Sequence, residues 1–342
     1  MAGPREASLA TAYDLLMFDL DGVVYVDGKA VDHAAESIAY ARDAGAHIAF
    51  ITNNAARTSD EVAEHLRELG IEAESDDVVT SAQAAARLLR DEHGPGAPIA
   101  VLGAEGLVWA VREAGLEPVR VGDPRAVAIV SGYAPEIRWQ VIMRGATLIR
   151  NGLPWVATNT DLTLPTGDGL APGHGLLVRL ISDFSGVTPQ VAGKPERPLL
   201  DETRRRLDGG QPLMVGDRLD TDIEGAHRAG TDALLVMTGV SHLDDLVRAR
   251  PEQRPTWIGH DLTALSRPGM TATSEGGSFR AGNCVARVDG SRLVVEGSAA
   301  TAEELDAWWT VAAAAAWDHL DRTGQEPDTA GVTPPGSSMT PG

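Results

Sequence analysis

A chain of 342 residues, 43% hydrophobic and 23% charged, has the balance of a soluble globular protein and length for about two domains. Its formal net charge of −20, from 29 basic and 49 acidic residues, disfavours general affinity for nucleic acid or an anionic membrane, so an anionic substrate has to be captured locally by a metal or a focused set of donors. The single cysteine, Cys284, excludes an intrachain disulfide and a cysteine-based metal cluster.

The opening MAGPREASLATAY lacks the apolar core of a signal peptide, and no apolar run approaches the roughly 18 residues of a membrane span. The expected location is the cytoplasm. In Tyr13 to Tyr25, YDLLMFDLDGVVY, the run Leu15 to Phe18 predicts a central strand of a parallel sheet, ending in Asp19, Asp21 and Gly22. Ligands of open α/β sheets bind at the carboxyl ends of strands. While the strand lasts, residues i and i+2 face one way, about 7 Å apart. By itself an Asp-x-Asp-Gly is as readily turn chemistry as a site.

His33 to Ala44 then reads as a helix capped by Asp32, and His47 to Thr52 as a buried strand ending in Asn53 and Asn54. Helices follow over Thr58 to Leu69, with Thr58 or Ser59 as cap, and over Val79 to Asp91. A second series begins afresh, with strands over Pro98 to Leu102, Val127 to Val130 and Trp155 to Thr158, separated by helices over Ala104 to Ala114 and Glu136 to Arg150. This β-α repetition predicts doubly wound parallel sheets, the second interrupting the first. Asn159 to Gly175, NTDLTLPTGDGLAPGHG, reads as a loop of functional length, and Leu176 to Phe184 as a helix.

Val191 to Pro195, VAGKP, carries Lys194, one of only two lysines, and a helix over Leu199 to Leu207 follows. The strand Leu213 to Val215 stops at Gly216 and Asp217 in GDRLDTDI, a helix runs to Gly230, and Leu234 to Met237 is another strand. Short helices around His242 to Arg248 and Leu262 to Leu265 finish this part. From Met270 the character changes to a linker over Thr271 to Gly277, a hairpin turning at Asp289-Gly290, and a helix over Glu303 to Asp321. Its Trp308, Trp309 and Trp317 suit packing or an interface better than ligand binding.

Four separated pieces share the address of a strand end: Asp19 with Asp21, Thr52 with Asn53, Lys194, and Asp217 with Asp222. Carboxylates at such density repel unless a cation is present. Magnesium suits them, because it takes one or two carboxylates, keeps waters and meets a substrate phosphate. Asp19 and Asp217 can supply oxygens directly, while Asp222 is placed to hold the site through metal-bound water. Lys194 supplies a compact positive charge, and Thr52 with neighbouring N–H groups can bind phosphate oxygens. Together these suggest phosphoryl transfer to Asp19, with Asp21 protonating the leaving alcohol and then activating water.

Asp19-Leu20-Asp21-Gly22-Val23, Thr52-Asn53-Asn54, Gly193-Lys194-Pro195 and Gly216-Asp217-Arg218-Leu219-Asp220-Thr221-Asp222 resemble the four motifs of haloacid dehalogenase superfamily phosphatases. Their order and context resemble the subfamily with a large α/β cap between the second and third motifs, which includes nucleotide, 4-nitrophenyl and phosphoglycolate or glycerol-phosphate phosphatases. The resemblance spans residues 13 to 267. It implies a Rossmann-like hydrolase core over 13–80 and 186–267, an inserted cap over 81–185, and the backbone carbonyl of Asp21 as a further metal ligand. Residues 278–322 form a small α+β extension outside the ordinary family pattern, and 1–12 and 323–342 are expected to be flexible.

The segment Asn159 to Gly175 resembles the family's cap loop, which makes Asn159, Asp161 and His174, with Asn53 and Asn54, candidates for substrate contacts. Each cap residue could equally order its own loop. The extension and the arginine- and alanine-rich composition resemble actinobacterial glycerol 3-phosphate phosphatases. That implies hydrolysis of a small phosphorylated metabolite, glycerol 3-phosphate, in recycling of glycerophospholipid head groups.

A broad phosphoglycolate, sugar-phosphate or nucleoside monophosphate phosphatase is the alternative. A non-catalytic regulatory protein is more distant, since Asp19, Asp21, Lys194 and Asp217 are all present. Dehalogenation is disfavoured because it dispenses with the magnesium site. Arg57 either touches phosphate or leads an exposed helix. No nucleic acid or membrane partner is expected, and a homodimer through the cap or the extension is.

Overall fold

Leu15, Leu16, Met17 and Phe18 expose no surface, as a strand covered on both faces requires. In the computed structural model, which describes residues 7–166, 169–207 and 209–335, they belong to the strand Leu15–Asp19. The chain divides into two compact units, the first holding residues 1–26, 30–48 and 210–342, the second residues 27–29 and 49–209.

In the first unit four parallel strands lie in the order Trp257–Gly259, Asp232–Val236, Pro212–Gly216, Leu15–Asp19. Phe18 stands opposite Val215. Identical strand direction therefore brings Asp19 and the residues after Gly216 to the same edge. His47 donates its N–H to the Asp14 carbonyl at 2.8 Å, at the start of the strand His47–Thr52.

The helix Ala34–Asp43 is entered through His33 in the left-handed region, φ 64°. That entry takes the cap position from Asp32, the residue expected there. Tyr13 donates its hydroxyl proton to Asp232 at 2.7 Å and accepts the Trp257 indole N–H at 2.8 Å, tying both ends of the strand order together. Trp257–Gly259 was not expected as a strand; it is three residues long, too short for periodicity to register.

The C-terminal extension is a four-stranded antiparallel sheet, Thr273–Glu275, Ser278–Ala281, Cys284–Asp289 and Arg292–Glu296, packed on the helix Ala302–Thr323. The expected linker Thr271 to Gly277 thus contains an edge strand, whose exposed polar residues hid it. Trp308 and Trp309 are buried in edge-to-face contact, centroids 5.0 Å apart. Trp317 donates its indole N–H to the Leu246 carbonyl at 2.7 Å, so these residues pack rather than bind a ligand.

Buried Asp306 accepts the His260 N–H and pairs with Arg267. Of the termini expected to be flexible, residues 1–6 and 336–342 lie outside the described residues. Leu9–Ala12 is a helical turn whose Leu9 N–H donates to the Arg267 carbonyl, and the Asp328 backbone bonds to Ser291 and Leu293.

In the second unit His47–Thr52 pairs in parallel with Val78–Thr80. The helix expected from Val79 begins instead at Ser81 and runs to His93. The β-branched run Val78, Val79, Thr80 favours a strand, and Thr80 then caps the helix through a reciprocal box with Gln83. Thr58 makes the same box with Glu61 at the start of Ser59–Glu68.

A five-stranded parallel sheet follows, ordered Gln190–Val191, Trp155–Ala157, Ala128–Ser131, Pro98–Leu102, Glu117–Arg120. Its outermost strand, Glu117–Arg120, escaped prediction because Pro118 marks it as non-strand except at an edge, which is where it sits. The helices Trp139–Arg150 and His174–Ser185 bury Ala146, Ile149, Val178 and Ile181 against this sheet. The loop expected over Asn159 to Gly175 holds a hairpin, Thr163–Thr166 with Gly169–Pro172, while 167–168 lie outside the described residues. Among the described residues no helix is long and apolar enough to cross a membrane.

Candidate active site

Because Leu15–Asp19 and Pro212–Gly216 run side by side, the carboxylates that end them converge. Asp19, Asp217 and Asp222 each offer an oxygen within 4.8 Å of the others. Asp217 and Asp222 are completely buried and Asp19 is half-buried. Asp217 Oδ2 accepts the Val240 N–H at 2.6 Å, and the Asp217 carbonyl accepts the Ser241 N–H at 3.2 Å. Asp222 Oδ2 accepts the N–H groups of Asp217 and Arg218 at 3.2 and 3.0 Å. It is thereby locked against the strand end by a wide turn, Leu219–Ile223.

Gly22 has φ 86°, and a Cβ there would come within 2.3 Å of Asp217 Oδ2. Thr238 Oγ1 donates to the Gly22 carbonyl at 2.7 Å, so the turn after Asp21 is drawn up to the carboxylates. Asp21 itself is exposed and forms a β-bridge with Tyr25. Asp220 is exposed and pairs with Arg218 at 2.8 Å.

Three acidic oxygens this close, two of them on fully buried groups, repel one another unless a cation compensates. An all-oxygen set beside an open turn suits a hard divalent cation that retains some of its waters.

The second unit holds a polar cluster at the end of His47–Thr52. Thr52 is buried and its Oγ1 accepts the Asn54 N–H at 3.0 Å. Asn53 is the hub. Its amide donates to Asp161 Oδ2 at 3.1 Å and to the Lys194 carbonyl at 3.0 Å, and its Oδ1 accepts the Lys194 N–H at 2.8 Å. Its backbone carbonyl accepts from Ser81 Oγ at 2.6 Å and from Asn159 Nδ2 at 2.7 Å.

Asn159 Oδ1 accepts the Asp161 N–H at 3.1 Å. Lys194 is 2% exposed and precedes a cis proline, Pro195. Asn54 is exposed and its Oδ1 accepts the Ala56 N–H at 2.8 Å. Five of the residues singled out from sequence, Thr52, Asn53, Asn159, Asp161 and Lys194, therefore belong to one unit and four of them share hydrogen bonds.

His174 lies elsewhere in that unit. It is 3% exposed, with Nε2 3.2 Å from Ser131 Oγ, which also accepts the Trp155 indole N–H at 2.8 Å. Burial pushes its pKa down to about 4, against a smaller opposing contribution from Ser131, so the ring is neutral at physiological pH.

Sequence reasoning missed the Val240 N–H, Gly239 and Ser81. The available signal was Thr238-Gly239-Val240 just past the strand Asp232–Val236, another polar, glycine-bearing strand end.

The pattern of haloacid dehalogenase-like hydrolases matches residues 16–117, and that of HAD-hydrolase-like proteins matches residues 191–265. The D-glycerol 3-phosphate phosphatase of Mycobacterium tuberculosis is 46% identical over 258 residues, covering 75% of this chain and 72% of that protein. The acid sugar phosphatase of Staphylococcus aureus is 36% identical over 252 residues, covering 73% of this chain and 95% of that protein. Crystal structures of the glycerol phosphate phosphatase from Mycobacterium tuberculosis superpose with TM-scores of 0.83 in complex with calcium and 0.82 in complex with magnesium. Identities are 40% and 41%, covering 94% and 91% of this chain and 93% and 92% of those chains.

Proposed function

This chain belongs to the haloacid dehalogenase-like hydrolases, and from that premise we propose that it is a magnesium-dependent cytoplasmic phosphatase hydrolysing glycerol 3-phosphate to glycerol and phosphate. The observation that carries the reading is the carboxylate set Asp19, Asp217 and Asp222 at adjacent strand ends. The 46% identity to the mycobacterial glycerol 3-phosphate phosphatase supports the substrate.

Asp19, Asp217, Asp222 and the Asp21 carbonyl are the groups that would hold magnesium, Asp222 through water. When bound, the ion lowers the repulsion between the nucleophile and the phosphate dianion. Asp19 attacks phosphorus through a carboxylate oxygen while the bond from phosphorus to the glycerol oxygen breaks, and Asp21 gives its proton to the departing alkoxide. Asp21 then removes a proton from water, which attacks the same phosphorus. The bond from phosphorus to the Asp19 oxygen breaks, releasing phosphate and restoring the carboxylate. Lys194 offsets negative charge, and Thr52 binds phosphate oxygens.

Asn54 and Asp161 are the proposed contacts to substrate hydroxyls. Asn53 and Asn159 brace Asp161 and Lys194, since their hydrogen bonds run to those residues and to each other. His174 holds its loop from inside. The 36% identity to an acid sugar phosphatase supports a second reading, a broader sugar-phosphate specificity with the same chemistry.

Phosphate release from glycerol 3-phosphate, phosphoglycolate, sugar phosphates and nucleotides, with magnesium or EDTA, for wild type and Asp19→Asn, tests both. Magnesium-dependent turnover led by glycerol 3-phosphate and lost in Asp19→Asn is expected. A sugar phosphate in the lead would replace the substrate and keep the mechanism. Full activity in EDTA or in Asp19→Asn would overturn the mechanism.

A further inference from the structure

The stretch Met237-Thr238-Gly239-Val240-Ser241 follows the strand Asp232–Val236 and is fastened from both sides. At its start the Met237 N–H donates to the carbonyls of Gly259 and His260, each at 3.2 Å, so Thr238 departs from a paired strand end. At its finish the N–H groups of Val240 and Ser241 go to the Oδ2 and the carbonyl of Asp217, and Ser241 Oγ accepts the Leu219 N–H at 3.3 Å. A loop held at both ends is a rigid mount for the side chain between them.

The turn that this side chain meets is closed on itself. The Leu20 carbonyl accepts the N–H groups of Val24 and Tyr25 at 2.9 and 3.1 Å, and the Gly22 N–H donates to the Tyr25 carbonyl at 2.9 Å. These bonds shape the turn without setting how it stands against the carboxylates at the strand end. Gly22 approaches the Asp217 carboxylate so closely that a side chain there would collide with it, which limits approach but does not hold the turn in place. The hold comes from Thr238, whose Oγ1 donates to the Gly22 carbonyl at 2.7 Å across 216 positions of sequence.

Gly22 directly follows Asp21, which is exposed. No packed interior fixes that carboxyl, so the backbone of its turn decides how far it reaches. The reach matters because the alkoxide leaving glycerol 3-phosphate is about as basic as hydroxide, whose parent water has a pKa of about 15.7. As the bond from phosphorus to oxygen breaks, its electron pair stays on that oxygen and must take up a proton, and a donor displaced from hydrogen-bond distance cannot supply one.

We propose that Thr238 is a positioning residue for the proton donor: by holding the Gly22 carbonyl to a loop that also holds Asp217, it fixes the reach of the Asp21 carboxyl to the leaving oxygen. This role rests on the phosphatase chemistry above, in which Asp21 is the acid.

The test compares esters that differ in how much they need the proton. Glycerol 3-phosphate needs it most, phenyl phosphate less, since a phenol has a pKa of about 10, and 4-nitrophenyl phosphate least, because its nitro group spreads the departing charge. For each, kcat/KM with saturating magnesium measures the transition state for departure of the alcohol against free enzyme and substrate. Thr238→Val removes the donor and is expected to lower kcat/KM for glycerol 3-phosphate on the order of 10²-fold, the effect of displacing a catalytic group by roughly 1 Å. The loss should be intermediate for phenyl phosphate and about tenfold smaller for 4-nitrophenyl phosphate than for glycerol 3-phosphate. Thr238→Ser keeps the hydroxyl and should recover most of the loss, and Asp21→Asn should show the same order of esters as Thr238→Val. A crystal structure of Thr238→Val should show the Gly22 carbonyl moved by roughly 1 Å with the bond from Val240 to Asp217 kept. Equal losses on all three esters in Thr238→Val, with Asp21→Asn still selective, overturn the positioning role alone, as does a Gly22 carbonyl that has not moved. Equal losses in Asp21→Asn overturn the acid itself and the proposal with it. Wild-type enzyme that turns over none of the esters overturns the phosphatase reading, and with it the proposal.

Discussion

Gly239 gives the most direct access to the carboxylate site without touching a charge. A Cβ at this position would lie 2.0 Å from Asp217 Oδ2 and 2.5 Å from its Cγ. Ordinary contact begins at 3.4 Å, so the loop or the carboxylate has to yield about 1.4 Å, well outside the attractive well of a non-bonded pair. Neither yields freely. The Asp217 carboxylate is fully buried, and the next residue, Val240, donates to its Oδ2 at 2.6 Å while Ser241 donates to its carbonyl.

Gly239→Ala is therefore expected to cost about 1–3 kcal/mol of stability as an overpacked interior does. Turnover of glycerol 3-phosphate should fall on the order of 10²-fold, the effect of displacing a catalytic group by roughly 1 Å. The magnesium concentration for half-maximal activity should also rise. Steady-state phosphate release against magnesium, with urea unfolding in EDTA, separates these effects. Trp317→Phe is the control: it removes the hydrogen bond to the Leu246 carbonyl, should cost about 1 kcal/mol, and should leave turnover and magnesium response alone. A Gly239→Ala enzyme with wild-type turnover and wild-type magnesium response would refute the view that this loop sets the position of Asp217.

His174 links stability to pH. Burial holds its pKa at about 4, below the ordinary 6.5, so the unfolded chain takes up the proton first. Stability is complete above pH 6.5, falls as the pH drops toward about 4 and levels off below, by about 3 kcal/mol at most. Urea unfolding of His174→Gln across that range should lose this part of the acid slope, and a slope equal to wild type would contradict it. In the C-terminal extension, Asp306→Ala removes the acceptor of the His260 N–H at 2.8 Å and the partner of the Arg267 guanidinium, whose side chain is 22% exposed. Breaking that pair should cost about 3–5 kcal/mol by tryptophan-monitored denaturation, and a loss below about 1 kcal/mol would show that water replaces the carboxylate.

The acidic half of the site was readable because its causes are local. Leu15 to Phe18 read as a doubly covered strand ending at Asp19, and Leu213 to Val215 placed Asp217 by the same logic. What stayed hidden is of two kinds. Backbone donors carry no residue signature: the Val240 N–H reaches Asp217 from 23 positions away, and any non-proline residue at 240 would offer it.

Amide side chains are ambiguous for the opposite reason, since asparagine donates and accepts and serves equally as a ligand or as a brace. Asn53 read as a candidate substrate contact by its place after Thr52. In the fold its amide meets Asp161 and the carbonyl of Lys194, and its Oδ1 meets the Lys194 N–H. One side chain thus joins three separate segments, Thr52-Asn53-Asn54, the loop at Asp161 and Gly193-Lys194-Pro195, the last two lying 108 and 141 positions beyond Asn53. The second and third motifs are joined through this amide, and its donor–acceptor pairing with Lys194 is a stronger reason for asparagine at 53 than a direct contact to substrate, which would not require both faces of the amide at once.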